Sequence, residues 1–504
     1  MRHDPPPQFL APGSSSPMLR SLARWLKVAA GSALLGLLLI GVAAYLHFVR
    51  SGPAPQPWHL EHVPDFTAEQ AGTVDTLDEY LAIEQQAFAA LERRVIQPAA
   101  ADEDVINRYR HGSLSDPAQW PRDWNRSFRL APADGGEPRA TVLLLHGLTD
   151  APYSLRSLGE HLAGRGYEVF GLRMPGHGTA PSGLVDFRNE DMRAAVRLAV
   201  RDLHRSGPGR PLYIVGYSNG AALAVDYTLA ALGGADQPRP DGLVLISPAI
   251  AISRLAVVAR VRTGLSSVPG FERAAWQVIQ QEFDPYKYNS FSFNAAGQTQ
   301  RLTRGLARDL ARLGREGLVQ GFPPVLVFLS AVDSTVNAAA VSQLLLDRLA
   351  PGDHELVLFD VNRLSAVRSL LVQDPGPLTA QLLARPRRPY GLTVITNLTP
   401  RTQQVMERRV AAEGNEFTER PLALEWPRTV FSLSHVALPF PPDDPLYGFA
   451  AAPAAHVQLG SFEVRGENGV LTVPAWALTR QRSNPFHAYL LERVDEFLDA
   501  TAGR

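Results

Sequence analysis

Residues Gly216-Tyr217-Ser218-Asn219-Gly220 place a serine hydroxyl between two glycines. The pattern G-x-S-x-G is short enough to arise by chance, so its setting decides its meaning. An apolar run, LYIVG over 212–216, leads into it, and a helical run, AALAVDYTLAAL, leads out. Glycines permit a sharp strand-to-helix turn that side chains would obstruct, and such a turn presents the serine hydroxyl above the sheet. A hydroxyl becomes a nucleophile when a base removes its proton and a third group orients that base. The chemistry open to Ser218 is therefore acyl transfer through a covalent intermediate.

The partners are sought after Ser218, in the order serine, acid, histidine. Asp333 lies three residues beyond the apolar run VLVFLS of 325–330. That is the C-terminal edge of a parallel sheet, where an acid can reach the site. Asp333 or Ser334 could also cap the helical run VNAAAVSQLLLDRL, and the two roles are compatible. Four histidines follow: His354, His435, His456 and His487. His354 opens the strand HELVLF and so stands at the opposite edge. His487 belongs to the terminal helix PFHAYLLERVDEFL, and His456 precedes VQLGSF without a loop signature. His435 follows the apolar run TVFSLS, read as a strand, and enters the irregular segment VALPF; it is the expected base.

A negative oxygen forms when the hydroxyl adds to a carbonyl, and backbone amides can hold it. The segment His146-Gly147-Leu148-Thr149 follows the strand TVLLL directly. The expected donors are the amides of Leu148 and of Asn219, the residue after the serine. His146 and His177 read as loop-shaping residues.

These residues need a frame. Apolar runs at 140–145, 167–172, 212–216, 242–246 and 325–330 are continuous rather than alternating, as in strands buried on both faces of a parallel sheet. Segments 155–166 and 192–206 suit crossover helices, which gives an α/β, doubly wound, mostly parallel sheet. The stretch of about 250–322 is too long for one crossover and reads as a helical cap. The run of about 361–428 reads as an insertion that leaves the core and returns. TLDEYLAIEQQAFAALERRVI, 76–96, has helical apolar spacing and should pack on the main domain.

At the N-terminus, VAAGSALLGLLLIGVAAYLHF over 28–48 carries no charged residue and is long enough for a transmembrane helix. Arg20, Arg24 and Lys27 precede it, and Arg50 alone follows closely. That bias puts residues 1–27 in the cytoplasm and the remainder across the membrane, periplasmic or extracellular. A cleaved signal peptide is the rival, but its apolar core is usually shorter. Residues 49–135 then form a linker and N-terminal extension, and 136–504 the main domain.

The 504 residues include no cysteine, which excludes disulfides and thiol chemistry. A formal net charge of -1 gives no reason to expect nucleic acid as a partner. The basic cluster at 385–388 reads as a solvated loop.

LLLHGLTDAPYSLRSLGEHLAGRGYEVFGLRMPGHG, YIVGYSNGAALA, VLISPAI and VDSTV together resemble the α/β-hydrolase superfamily. The likeness is to its serine aminopeptidase-like and monoacylglycerol lipase-like branch, in an exported, membrane-anchored bacterial form. The resemblance implies hydrolysis of carboxylic esters, or less often amides, without cofactor or metal. Ser218, Asp333 and His435 would be catalytic, on a small-molecule ester that the bilayer's proximity makes lipophilic. An acyltransferase would use the same residues, and a non-catalytic binding protein would have no need to keep all three. An aminopeptidase would need a carboxylate for the substrate amine; Asp150, Glu282 and Asp284 are available but read as solvated surface. The separation of Asp333 from His435, 102 positions counting 435 minus 333, departs from the family's short spacing.

Overall fold

The computed structural model describes residues 17–50, 53–99, 105–234, 236–250, 272–333, 338–365, 376–385, 387–428, 430–449, 457–460 and 482–502. His456, most of the tail expected to be cytoplasmic, Ser334, and residues 251–271 of the expected cap lie outside these. The chain divides into two units, Met1–Ala54 and Pro55–Arg504. Among its described residues the first holds one helix, Pro17–Arg50. Its segment Arg24–His47 has a mean hydropathy of 2.1, enough in length and composition for a membrane span or a signal sequence.

The second unit is built on one ten-stranded sheet. Its strands are β1 (Phe128–Leu130), β2 (Thr141–Leu145), β3 (Glu168–Leu172), β4 (Leu212–Tyr217), β5 (Gly242–Ile246), β8 (Val325–Ser330), β9 (Glu355–Phe359), β10 (Gly391–Asn397), β11 (Gln404–Val410) and β12 (Phe417–Glu425). Their order is β1-β3-β2-β4-β5-β8-β9-β10-β11-β12. From β3 to β10 every neighbouring pair is parallel. β1, β11 and β12 pair antiparallel at the two margins. A separate two-stranded ribbon joins β6 (Trp276–Val278) to β7 (Phe291–Ser292).

The continuous apolar strands bury both faces. Leu143, Ile214, Leu243 and Leu245 join one core with the helices Asn189–Ser206, Asn219–Leu232 and Phe293–Arg315. Val142, Leu144, Val215, Val244 and Ile246 join the other, with the helices Arg156–Gly164 and His487–Ala502. The period of two in side-chain direction thus fills both layers.

Three expectations change. Within about 361–428, expected to leave the core, the described strands extend the sheet: β10 adds to β9 in parallel, and β11 and β12 continue it. Within about 250–322, read as a helical cap, the described residues form the small ribbon, one long helix, Phe293–Arg315, and two short 3-10 turns, Glu272–Ala275 and Leu318–Gly321. Arg388, expected in a solvated loop, is buried and donates to the carbonyls of Leu382 and Arg385.

The N-terminal extension is part of this unit. Its helix Leu77–Leu91 starts on a capping box, with Thr76 Oγ1 accepting from the Glu79 amide and Glu79 accepting from the Thr76 amide. Tyr80 and Leu77 enter the core, and Tyr80 donates to the Arg173 carbonyl at 2.6 Å. Arg173, just past β3, is fully buried; its guanidinium meets Asp65 at 2.7 Å and Glu84 at 3.1 Å.

Breaking a buried ion cluster from the cationic side strands its carboxylates. Arg173→Ala is therefore expected to cost about 3–5 kcal/mol in urea unfolding; a loss below about 1 kcal/mol would contradict the cluster's role. Burial also holds His354 and His487 neutral, each down to about 4 against an ordinary value of 6.5. The unfolded chain takes up these protons more readily, so the stability is present above about pH 6.5 and is lost as pH falls toward 4. His487→Gln should make that fall in melting temperature shallower; an unchanged slope would contradict it.

Candidate active site

Ser218 sits between β4 and the helix Asn219–Leu232, with φ 53° and ψ -112°. A non-glycine residue with positive φ is strained by about 1–3 kcal/mol, so its surroundings must hold it there. Ser218's amide donates to the Ile246 carbonyl at 2.9 Å, and its carbonyl accepts from Ala222 and Ala249. The two glycines make the turn possible by close approach. A Cβ on Gly216 would stand 2.4 Å from Ala221 Cα, and one on Gly220 would stand 2.0 Å from the Leu145 carbonyl oxygen. Any side chain at either place would push the helix away from the sheet.

The three residues expected to act together are in contact. His435 Nε2 is 2.9 Å from Ser218 Oγ. On its other side His435 Nδ1 is 2.7 Å from Asp333 Oδ2. With Nδ1–H donating to the carboxylate, the Nε2 lone pair faces the serine hydroxyl. The Asp333 side chain is fully buried, and that of His435 is 9% exposed. Asp333 leaves the end of β8, its amide donating to the Ser330 carbonyl at 3.3 Å.

His435 arrives differently from the sequence expectation. Residues 430–434 are irregular rather than a strand, and the histidine opens a turn. The anchor is Asn362, shortly past β9. Its amide donates to the Phe431 carbonyl at 2.7 Å, and its side chain to the Val430 carbonyl at 3.0 Å. Leu433 and Leu438 are buried in the core on either side, and Tyr217 Oη donates to the His435 carbonyl at 3.4 Å. After β12 the chain thus comes back to the strand beside β8. No single residue type in the sequence announced Asn362; the asparagine acts through two backbone bonds.

The expected oxyanion donors lie in the loop after β2 and at the first turn of the helix after Ser218. Among the described residues, neither the Leu148 nor the Asn219 amide donates to a backbone carbonyl. Asn219 also opens the helix, where unpaired amides and the helix dipole favour negative charge. His146 is spent on the backbone: its Nδ1 meets the Gly147 carbonyl at 2.8 Å and its Nε2 accepts from the Met174 amide at 2.9 Å. Burial, with His177 beside it, pushes the His146 ring well below the usual imidazole range. His177 donates to the Pro175 carbonyl, and burial lowers it to about 4. Both rings shape loops as neutral groups.

The acidic residues considered for a substrate amine are not at the surface. Asp150 is 6% exposed and pairs with Lys287 at 2.8 Å. Glu282 and Asp284 are fully buried. Glu282 accepts the amides of Asn289 and Ser290, and Asp284 accepts the Tyr286 amide and the Tyr447 hydroxyl. Among the described residues no group of three or more His, Asp or Glu is placed to hold a metal ion.

Residues 136–362 match the family described as "Serine aminopeptidase, S33". No curated protein sequence matches the chain. Among solved structures, a chain from a study of LipS and LipT, two metagenome-derived lipolytic enzymes, is 22% identical. The match covers 47% of this chain and 87% of that one, with a TM-score of 0.35. A soluble variant of monoglyceride lipase from Saccharomyces cerevisiae is 18% identical over 46% and 82% of the two chains, with a TM-score of 0.36. A monoacylglycerol lipase from Paleococcus ferrophilus is also 18% identical, over 46% and 88%, with a TM-score of 0.35. The stretch that matches the family spans β2 to β9 and contains Ser218, Asp333 and the loop after β2. The match to the serine aminopeptidase S33 family lies in residues 136–362, and the chain is a serine hydrolase with the α/β-hydrolase fold.

Proposed function

We propose that this hydrolase cleaves carboxylic esters through an acyl-enzyme formed on Ser218. The observation that carries the reading is the position of His435, 2.9 Å from Ser218 Oγ and 2.7 Å from Asp333. As Ser218 Oγ attacks the ester carbonyl, His435 Nε2 takes the hydroxyl proton and then delivers it to the leaving alcohol. Asp333 fixes the ring and stabilises the imidazolium. The amides of Leu148 and Asn219 receive the oxyanion, a role in which one donor is typically worth about 10²–10³ in rate. Water, activated by the same histidine, then releases the acid and restores Ser218. No step calls on a metal or cofactor.

The acyl group is lipophilic in this reading. An apolar segment at the N-terminus, Arg24–His47, supports an anchor that places the domain beside a bilayer. The basic residues before it favour a cytoplasmic N-terminus and an exported catalytic domain. Glycerides and other lipid esters are the corresponding small-molecule substrates.

An aminopeptidase is the second reading, through the family's name. It is disfavoured by the state of the carboxylates, since Asp150, Glu282 and Asp284 are already engaged by Lys287, backbone amides and Tyr447. An acyltransferase would use the same residues with an alcohol in place of water.

The full-length protein in detergent micelles should hydrolyse p-nitrophenyl esters, with kcat/KM rising from acetate to medium-chain acyl groups. Hydrolysis of an aminoacyl p-nitroanilide should be negligible beside it. Ser218→Ala should lower kcat by roughly 10⁴-fold or more. Preference for the anilide would replace the esterase reading with the peptidase one, and activity retained by Ser218→Ala would remove both.

A further inference from the structure

We propose that Lys287 is a positioning residue for the oxyanion loop, holding it in place and cancelling a negative charge built beside it. The inference rests on the esterase reading of Ser218.

The loop that carries Leu148 contains a buried carboxylate. Asp150 is 6% exposed, and its Oδ2 stands 2.4 Å from where a Cβ on Gly147 would be. The carboxylate therefore lies against the residue immediately before Leu148, whose amide is assigned to the oxyanion. A charge there opposes the negative oxygen that forms during attack, and in a water-poor site the opposition is weakly screened. Lys287 Nζ reaches Asp150 Oδ1 at 2.8 Å. One residue later, the Tyr288 amide donates to the Thr149 carbonyl at 2.8 Å. Thr149 has φ 67°, another strained non-glycine position. Two consecutive residues thus grip two consecutive residues of the loop.

The gripping turn is itself braced. Asp284 accepts the Tyr286 amide at 3.0 Å and the Tyr447 hydroxyl at 2.7 Å. Asn289 donates its amide to Glu282 at 2.9 Å and accepts from the Asp284 amide at 3.2 Å. Asp284 also has Arg482 at 3.9 Å. Both halves of the site become linked: the turn before β7 sets the geometry of the loop after β2.

The test is a cycle of Lys287→Met, Asp150→Asn and the double variant, with Lys287→Arg and Ser218→Ala beside them. Turnover of p-nitrophenyl butyrate and binding of a trifluoromethyl ketone, which adds to the serine as an oxyanion, are measured on each. Lys287→Met should lower kcat by about 10–100-fold, less than deletion of an oxyanion donor. Ketone affinity should fall in parallel, with KM unchanged within about three-fold. Lys287→Arg should recover most of the loss, and so should the double variant, because it removes the uncompensated charge. A purely structural lysine would give a double variant no better than Lys287→Met, which would overturn the proposal. Wild-type kcat in Lys287→Met, with Ser218→Ala inactive, would also overturn it while leaving the esterase reading intact. Turnover retained by Ser218→Ala would remove that reading, and this one with it.

Discussion

The backbone of Ser218 is held at φ 53°, a conformation that the residue would not adopt alone. It persists because β4 and the following helix approach so closely that Gly216 and Gly220 leave no room for a side chain. The same closeness sets the site. It holds Ser218 at the start of the helix Asn219–Leu232 and brings the end of β2 against Gly220. Asp333 needs only to leave the C-terminal end of β8, two strands away from β4 across β5. The parallel sheet makes these termini coincide at one edge, and the strain at Ser218 fixes which atom stands there.

His435 depends on more distant structure. The chain from β9 to β12 adds three strands to the sheet before it returns. Trp426, fully buried, packs edge-on against Phe486 at 4.7 Å between ring centroids, and Asn362 then binds the backbone at 430 and 431. These contacts bring the histidine to Asp333 although 102 positions separate them. On the other flank, Arg173 draws Asp65 and Glu84 into the loop after β3, so the N-terminal extension is fastened to the hydrolase core. Margins far from the chemistry carry its precision.

Much of this was legible in the residues, for identifiable reasons. Strands β2, β4, β5 and β8, and β3 after Glu168, are almost continuously apolar, as strands buried on both faces are, and the elbow has glycines where close packing demands them. The contribution of 361–428 was not legible. β11 (QVMERRV) and β12 (FTERPLALE) mix charged and apolar residues because they lie at the sheet's margin, so their pattern resembles an excursion. The run before His435 is apolar because it is buried, not because it is extended. Asp150, Glu282, Asp284 and Arg388 were misread for one reason: a charged side chain suggests solvent unless its partners can be seen. Their partners are Lys287, backbone amides, Tyr447 and, for Arg388, the nearby carbonyls of Leu382 and Arg385.

The most direct test asks which serine is activated. The full-length protein is treated with a fluorophosphonate, digested, and its adduct mapped by peptide mass spectrometry. A single phosphonyl group on Ser218 is expected, formed far more slowly in His435→Ala. An adduct on another serine, or labelling that survives Ser218→Ala, would contradict the assignment of the nucleophile.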